Sequence, residues 1–323
     1  MPVKSLRTLL ISTLLLLATS LAAAEPQAVA ARQLARGDGS SITWYLWQRH
    51  IGPAPKALLV IIQGSDCNSV TRIPGVYRHL ARALPEADVL TVEKYAIEAS
   101  LPYDHDPERA DCPAAYLRHD SPSQRAQDLQ AVLAHLQQDR RYSRIVALGG
   151  SEGAVVAHLL AARSNLVHAT VAFNGGGQWF RDDLLHGLAS SPQNPAQQAE
   201  SRRELLGFIQ QVQQQPAADL QASGHGAGWW QDVLRLDQLA LLQGSRVPAL
   251  IIQSGADEAV SVSAVTRMIA QLREHGRPGL AFRPYPGLDH RLADTTGTSR
   301  MAEVVSDIAL WLRQLPLASR EPG

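Results

Sequence analysis

Along this chain short apolar runs alternate with longer stretches in which apolar residues recur every third or fourth position. Residues 42–47 alternate as an early strand, and Ala57-Leu58-Leu59-Val60-Ile61-Ile62-Gln63 is an apolar run of buried-strand length, too short for a helix. A helix over 75–84 and a strand over 89–92 follow, then a polar insertion over 96–120. Residues 121–138 place Ala126, Leu129, Val132, Leu133 and Leu136 on one helical face. A strand over 145–148, a helix beginning near 154 and a strand over 169–173 come next. After residue 244 the alternation resumes with a strand over 247–253. Residues 263–275 then form a helix with Val265, Met268, Ile269 and Leu272 on one face, and 280–285 a strand. Strands alternating with helices predict an α/β fold, a mostly parallel sheet with helices on both faces. Ligands of such sheets bind beyond the carboxyl ends of the strands.

Between residues 174 and 244 the pattern changes. The stretch is rich in Gln, Ala and Ser, with Trp179-Phe180 at one end and Trp229-Trp230 near the other. Leu205, Leu206, Ile209 and Val212 share one helical face. The reading is a helical cap inserted at about 175–244 into a single domain over 25–323. Gly224-His225-Gly226-Ala227-Gly228 lacks the Lys-Ser/Thr ending of a phosphate loop and reads as a hinge or turn, with His225 a loop histidine.

The first 24 residues stand apart. A basic start (Lys4, Arg7), an apolar run from Leu9 to Leu21 and Ala22-Ala23-Ala24 before Glu25 have the layout of a cleaved secretory signal. The apolar run is short for a membrane span, which takes about 20 residues. The expected location is therefore periplasmic or secreted, with no stable membrane span after cleavage. The full chain has 30 Lys plus Arg and 30 Asp plus Glu; losing Lys4 and Arg7 leaves 28 against 30, a mature charge of −2. With no dense basic block, the sequence points to no nucleic-acid partner. Asp104-His105-Asp106 reads as solvated surface and not as a metal site.

The chemistry is concentrated at Gly149-Gly150-Ser151-Glu152-Gly153, between an apolar strand and Ala154-Val155-Val156-Ala157-His158-Leu159-Leu160. A Gly-x-Ser-x-Gly turn between strand and helix marks a nucleophilic serine. Such a serine needs a base to take its proton, and the base needs an acid to fix its tautomer. Asp257 follows the strand over 247–253, and His290 follows the strand over 280–285. Ser151, Asp257 and His290 thus occur in the order nucleophile, acid, base, each just past a strand. Glu258 is a second carboxylate in the acid turn, and Asp289 reads as a solvated loop charge.

On these residues the chain resembles the α/β-hydrolase superfamily. "PALIIQSGADEAV" and "YPGLDH" look like the acid and histidine segments of its dienelactone-hydrolase and prolyl-oligopeptidase-like branches. The resemblance implies Ser151 as nucleophile, Asp257 as orienting acid and His290 as general base, with no cofactor and no metal. It further implies an oxyanion hole made by the backbone amides of Ser65 and Glu152, although Gln63 stands where the superfamily usually has histidine. The two cysteines, Cys67 and Cys112, would lie in loops near the catalytic face, and in an exported chain they are expected to form a disulfide. The aromatic pairs of the insertion either line the acyl pocket or anchor the cap to the core.

The expected activity is hydrolysis of a small-molecule or lipid-like carboxylic ester through an acyl-enzyme. A peptidase or aminopeptidase of the prolyl-oligopeptidase type, a thioesterase and a non-catalytic binding protein are the alternatives. No acidic pair for gripping a peptide amino terminus is evident.

Overall fold

In the computed structural model, residues 29–49, 56–138, 142–214, 217 and 219–316 are described. The proposed leader lies outside them. The chain begins β1 (Ala31–Ala35), β2 (Ser41–Trp47), β3 (Lys56–Ile62), α1 (Pro74–Arg78) and β4 (Asp88–Val92). There follow α2 (Ala114–His119), α3 (Pro122–Gln137), β5 (Tyr142–Gly150), α4 (Glu152–Arg163) and β6 (Ala169–Phe173). The insertion carries α5 (Phe180–Ser190), α6 (Pro195–Gln214), the hairpin β7 (Gln221–Ala222) and β8 (His225–Gly226), α7 (Ala227–Val233) and α8 (Gln238–Gly244). The chain closes with β9 (Ala249–Ser254), α9 (Val262–Glu274), β10 (Leu280–Tyr285) and α10 (Met301–Gln314).

Eight strands form one sheet in the order β1-β2-β4-β3-β5-β6-β9-β10. The β1–β2 and β2–β4 pairs are antiparallel, and every pair from β4 to β10 is parallel. The mostly parallel sheet expected from the alternation of strands and helices is the one observed.

Both faces of the sheet are covered, which explains why its central strands read as continuous apolar runs. Leu58, Val60 and Ile62 of β3 pack with Ile145 and Ala147 of β5 against α3 and α4. The intervening Leu59 and Ile61 point the other way, joining Val146, Leu148 and Val171 under Val304, Val305, Ile308 and Leu312 of α10. In α9, Val265, Met268, Ile269 and Leu272 cover Ala249 and Ile251 of β9. Among the described residues no helix is long and apolar enough to cross a membrane.

The helix expected over 75–84 is divided. α1 ends at Arg78, and Leu80–Ala83 form a tighter 3-10 turn. Pro85 cannot continue a helix, and the Arg49 guanidinium donates to the carbonyls of Ala81, Leu84 and Ala87 at 2.9, 2.7 and 2.7 Å.

Candidate active site

The strand–turn–helix at Ser151 is held by close approach. Ser151 sits at φ 53°, ψ −127°, a backbone conformation rare for a residue with a side chain. Its amide donates to Phe173 O at 2.9 Å, tying the turn to the end of β6. A Cβ on Gly149 would lie 2.1 Å from Gly153 O, and one on Gly153 would lie 2.2 Å from Ile62 O. Only glycine fits at either position, so the small residues of the pentapeptide are dictated by backbone crowding.

The three residues from separate strands meet at this turn. His290 Nε2 is 3.2 Å from Ser151 Oγ, and His290 Nδ1 is 2.9 Å from Asp257 Oδ2. A carboxylate only accepts, so Nδ1 carries the hydrogen and the Nε2 lone pair faces the serine hydroxyl. Asp257 is buried, and its other oxygen accepts from Ala259 N and Val260 N at 3.0 and 2.8 Å. Gln253 Nε2 adds a longer bond to Oδ2 at 3.3 Å. Glu258 is exposed and takes no part. Asp289 is not a free solvated charge: its Oδ1 accepts from Arg291 N and Ala293 N at 2.9 and 2.8 Å and shapes the loop beside His290.

Ser65 follows β3, and Gly64 lies against Ser151, where an added Cβ would be 3.8 Å from Ser151 Cβ. Gln63, in place of histidine, is buried and donates from Nε2 to Asn68 O at 2.8 Å within the same loop. Cys67 and Cys112 form a disulfide with a Cα–Cα distance of 5.9 Å, buried with Ile97 and Tyr116. Asn68 joins the loop to the polar insertion by exchanging bonds with the Asp104 backbone, 2.9 Å each way. The Asp104-His105-Asp106 side chains are otherwise exposed.

Glu152 contributes more than its backbone. Its buried carboxylate pairs with Arg125 of α3 and accepts from Trp229 Nε1 at 2.6 Å. Burial opposes its charge, yet Arg125 and then Lys94 hold the carboxyl below the usual range. Trp229 therefore reaches from the insertion to the nucleophile turn, and both tryptophans pack with Phe180, Ile209 and Val212. Of the two readings of the aromatic pairs, anchoring is the contact observed for Trp229.

His225 departs from expectation. It is buried in β8 and stacked on Trp229, with ring centroids 3.7 Å apart and planes 9° apart. Burial pushes its imidazole down to about 4, so the ring is neutral. The Gly224 turn beside it, at φ 73°, closes the β7–β8 hairpin and drives the histidine inward.

Three residues missed by sequence reasoning surround Asp257 and His290. Asn174, just after β6 at φ 50°, donates from Nδ2 to His290 O and accepts at Oδ1 from Ser254 N. From α5, His186 Nε2 donates to Asp257 O at 2.8 Å, and Asp183 Oδ1 accepts from Ser261 N at 2.8 Å. Asn174 had a signal, since asparagine between a strand and three glycines suits a left-handed turn. The α5 pair had none, because polar residues on an inserted helix read as solvated.

A fold of this topology, with a serine turn after a central parallel strand, defines a serine hydrolase of the α/β-hydrolase superfamily. More narrowly, the sequence profile of the prolyl oligopeptidase family matches residues 115–315, and the chain belongs to that family. No curated protein sequence matches the chain. Est1E from Butyrivibrio proteoclasticus is similar in structure, with a TM-score of 0.55 at 14% identity over 88% of this chain and 98% of that one. An esterase from Pyrococcus furiosus is similar at a TM-score of 0.58 and 13% identity, over 88% of this chain and 91% of the other. An acylaminoacyl peptidase from Pyrococcus horikoshii gives 0.56 and 13%, over 92% of this chain but 43% of the peptidase. At these identities the likeness is one of fold.

Proposed function

We propose that the protein is an exported serine hydrolase that cleaves carboxylic esters through an acyl-enzyme on Ser151. The observation that carries this reading is the relay of Ser151 Oγ, His290 and buried Asp257 at 3.2 and 2.9 Å. Ser151 Oγ attacks the ester carbonyl carbon while its proton passes to His290 Nε2. The carbonyl oxygen becomes an oxyanion held by the Ser65 and Glu152 amides, each worth roughly 3–4 kcal/mol where water is excluded. Collapse breaks the bond to the alcohol, which leaves with the proton from His290. Water then attacks the acyl carbon, again giving a proton to His290, and the acid departs as Ser151 recovers its hydrogen.

In the sequence no acidic pair for a peptide amino terminus is evident, which supports ester over peptide cleavage. Membership of the prolyl oligopeptidase family favours the second reading, a peptidase using the same three residues. Export is supported by the leader pattern and by the Cys67–Cys112 bridge, since disulfides persist in oxidising compartments. The insertion from α5 to α8 is read as a cap.

The test compares p-nitrophenyl esters of graded acyl length with aminoacyl p-nitroanilides, with fluorophosphonate labelling of the wild type and of Ser151→Ala. Ester turnover and labelling that both vanish in Ser151→Ala are expected. Turnover that survives in Ser151→Ala refutes the nucleophile, and anilides cleaved faster than every ester refute the ester reading.

A further inference from the structure

Arg125 belongs to no motif, yet it is buried among groups that belong to the site. Its Nη2 donates to Gln63 O at 2.7 Å, and its Nη1 reaches Gly64 O at 3.4 Å and the Glu152 carboxylate. Two of the three acceptors are consecutive carbonyls of the turn that carries Ser65. The third is the side chain of the residue after the nucleophile. One planar group thus spans the two backbone segments assigned to the oxyanion.

Peptide geometry turns this into a statement about the donors. The carbonyl of Gly64 and the amide of Ser65 lie in one rigid trans plane and point in opposite directions. Drawing Gly64 O towards Arg125 therefore aims the Ser65 N–H away from it. The next carbonyl is held as well: Tyr116 Oη donates to Ser65 O at 3.0 Å. Three successive carbonyls are thus held by two side chains. At the other segment, Arg125 and Trp229 Nε1 grip both oxygens of Glu152.

We propose that Arg125 is a positioning residue that sets the oxyanion hole, its guanidinium holding the Gly64–Ser65 peptide in fixed register with Glu152. The inference rests on the assignment of the Ser65 and Glu152 amides as donors and deepens it. The flat fork of arginine is what reaches three acceptors at once; a lysine keeps the charge but offers a single point of contact. Glu152 neutralises the guanidinium across their contact, so its part is geometric and not that of a free positive charge beside the oxyanion.

The experiment uses Arg125→Lys, with steady-state kinetics on a p-nitrophenyl ester and the infrared carbonyl band of a slowly deacylating acyl-enzyme. If Arg125 sets the donors, kcat falls roughly 10²-fold, on the scale of losing one oxyanion donor. KM stays within about twofold, as expected for an interaction made in the transition state. The acyl carbonyl band moves to higher frequency as its hydrogen bonds lengthen, which a merely structural role would not produce. A folded Arg125→Lys protein with wild-type kcat or an unmoved band overturns the inference. Should that variant not fold, Glu152→Gln decides: it keeps the shape but weakens the tie, and an unchanged band there overturns the inference equally. A wild type that forms no acyl-enzyme refutes the underlying reading instead, so the two failures are distinct.

Discussion

Asn174 joins two ends of the site that are far apart in sequence: its Nδ2 donates to the carbonyl of His290 at 2.9 Å, across 116 residues. The same amide donates to Ser254 Oγ at 3.0 Å, and Oδ1 accepts from Ser254 N at 2.8 Å. One side chain thereby fixes the histidine loop to the strand that precedes the acid. Asparagine also tolerates the left-handed backbone at φ 50°. Asn174→Ala leaves buried backbone groups without partners, at about 1–3 kcal/mol. A urea melt should show that loss, with kcat reduced more than KM is raised because the histidine is less well placed. Asn174→Asp keeps the acceptor and loses the donor, and should fall between.

The carboxylate that His290 Nδ1 meets is Asp257 and not its neighbour. Asp257→Asn removes the acceptor that dictates the histidine tautomer, and kcat should fall roughly 10⁴-fold. Glu258 is exposed, so Glu258→Gln should stay within about twofold. Equal losses in the two variants would mean that the acid role is shared.

The parts of this molecule that could be read from sequence are those whose physics is local. Ser151, Asp257 and His290 each follow an apolar strand, so period and order suffice to bring them to one sheet edge. The residues that fix them were less legible, because their partners lie on other elements. Arg125 did carry a signal: it stands four residues before Leu129, on the apolar face of α3, where a charge needs a buried partner. His225 did not, since a glycine-rich stretch reads as a turn whether its side chain points in or out. β1 escaped notice because its residues are nearly all exposed, leaving no alternation to see. The spacing of Val304, Val305, Ile308 and Leu312 does carry the helical period of α10.

The Cys67–Cys112 bridge ties the turn after β3 to the start of α2, across a sequence separation of 45. Closing a loop of that length restricts the unfolded chain by about 4 kcal/mol on the chain-entropy estimate. Cys67→Ser combined with Cys112→Ser should lower unfolding free energy by about that amount in equilibrium denaturation. Because Asn68 adjoins the bridge and receives the Gln63 side chain, kcat should fall as well at temperatures where the variant is folded. Stability equal to that of the oxidised wild type would show that the bridge does not constrain the chain.

Asp183 gives the protein a pH dependence of defined sign. Burial pushes its carboxyl from 3.8 up to about 7; the Asp182 and Asp257 charges add to the rise, while the Ser261 amide and His290 oppose it. Below 3.8 the group is protonated folded or unfolded. As pH climbs from there to about 7, the unfolded chain releases its proton first and the folded protein holds on, so each step in pH lowers stability. Above about 7 the loss is complete. Asp183→Asn keeps an oxygen for the Ser261 amide but cannot ionise. The stability of Asp183→Asn relative to wild type should therefore rise between pH 4 and 7 and then level off, as measured by urea unfolding across that range. A difference that is flat with pH, or that shrinks as pH rises, would mean that Asp183 is ionised in the folded protein throughout.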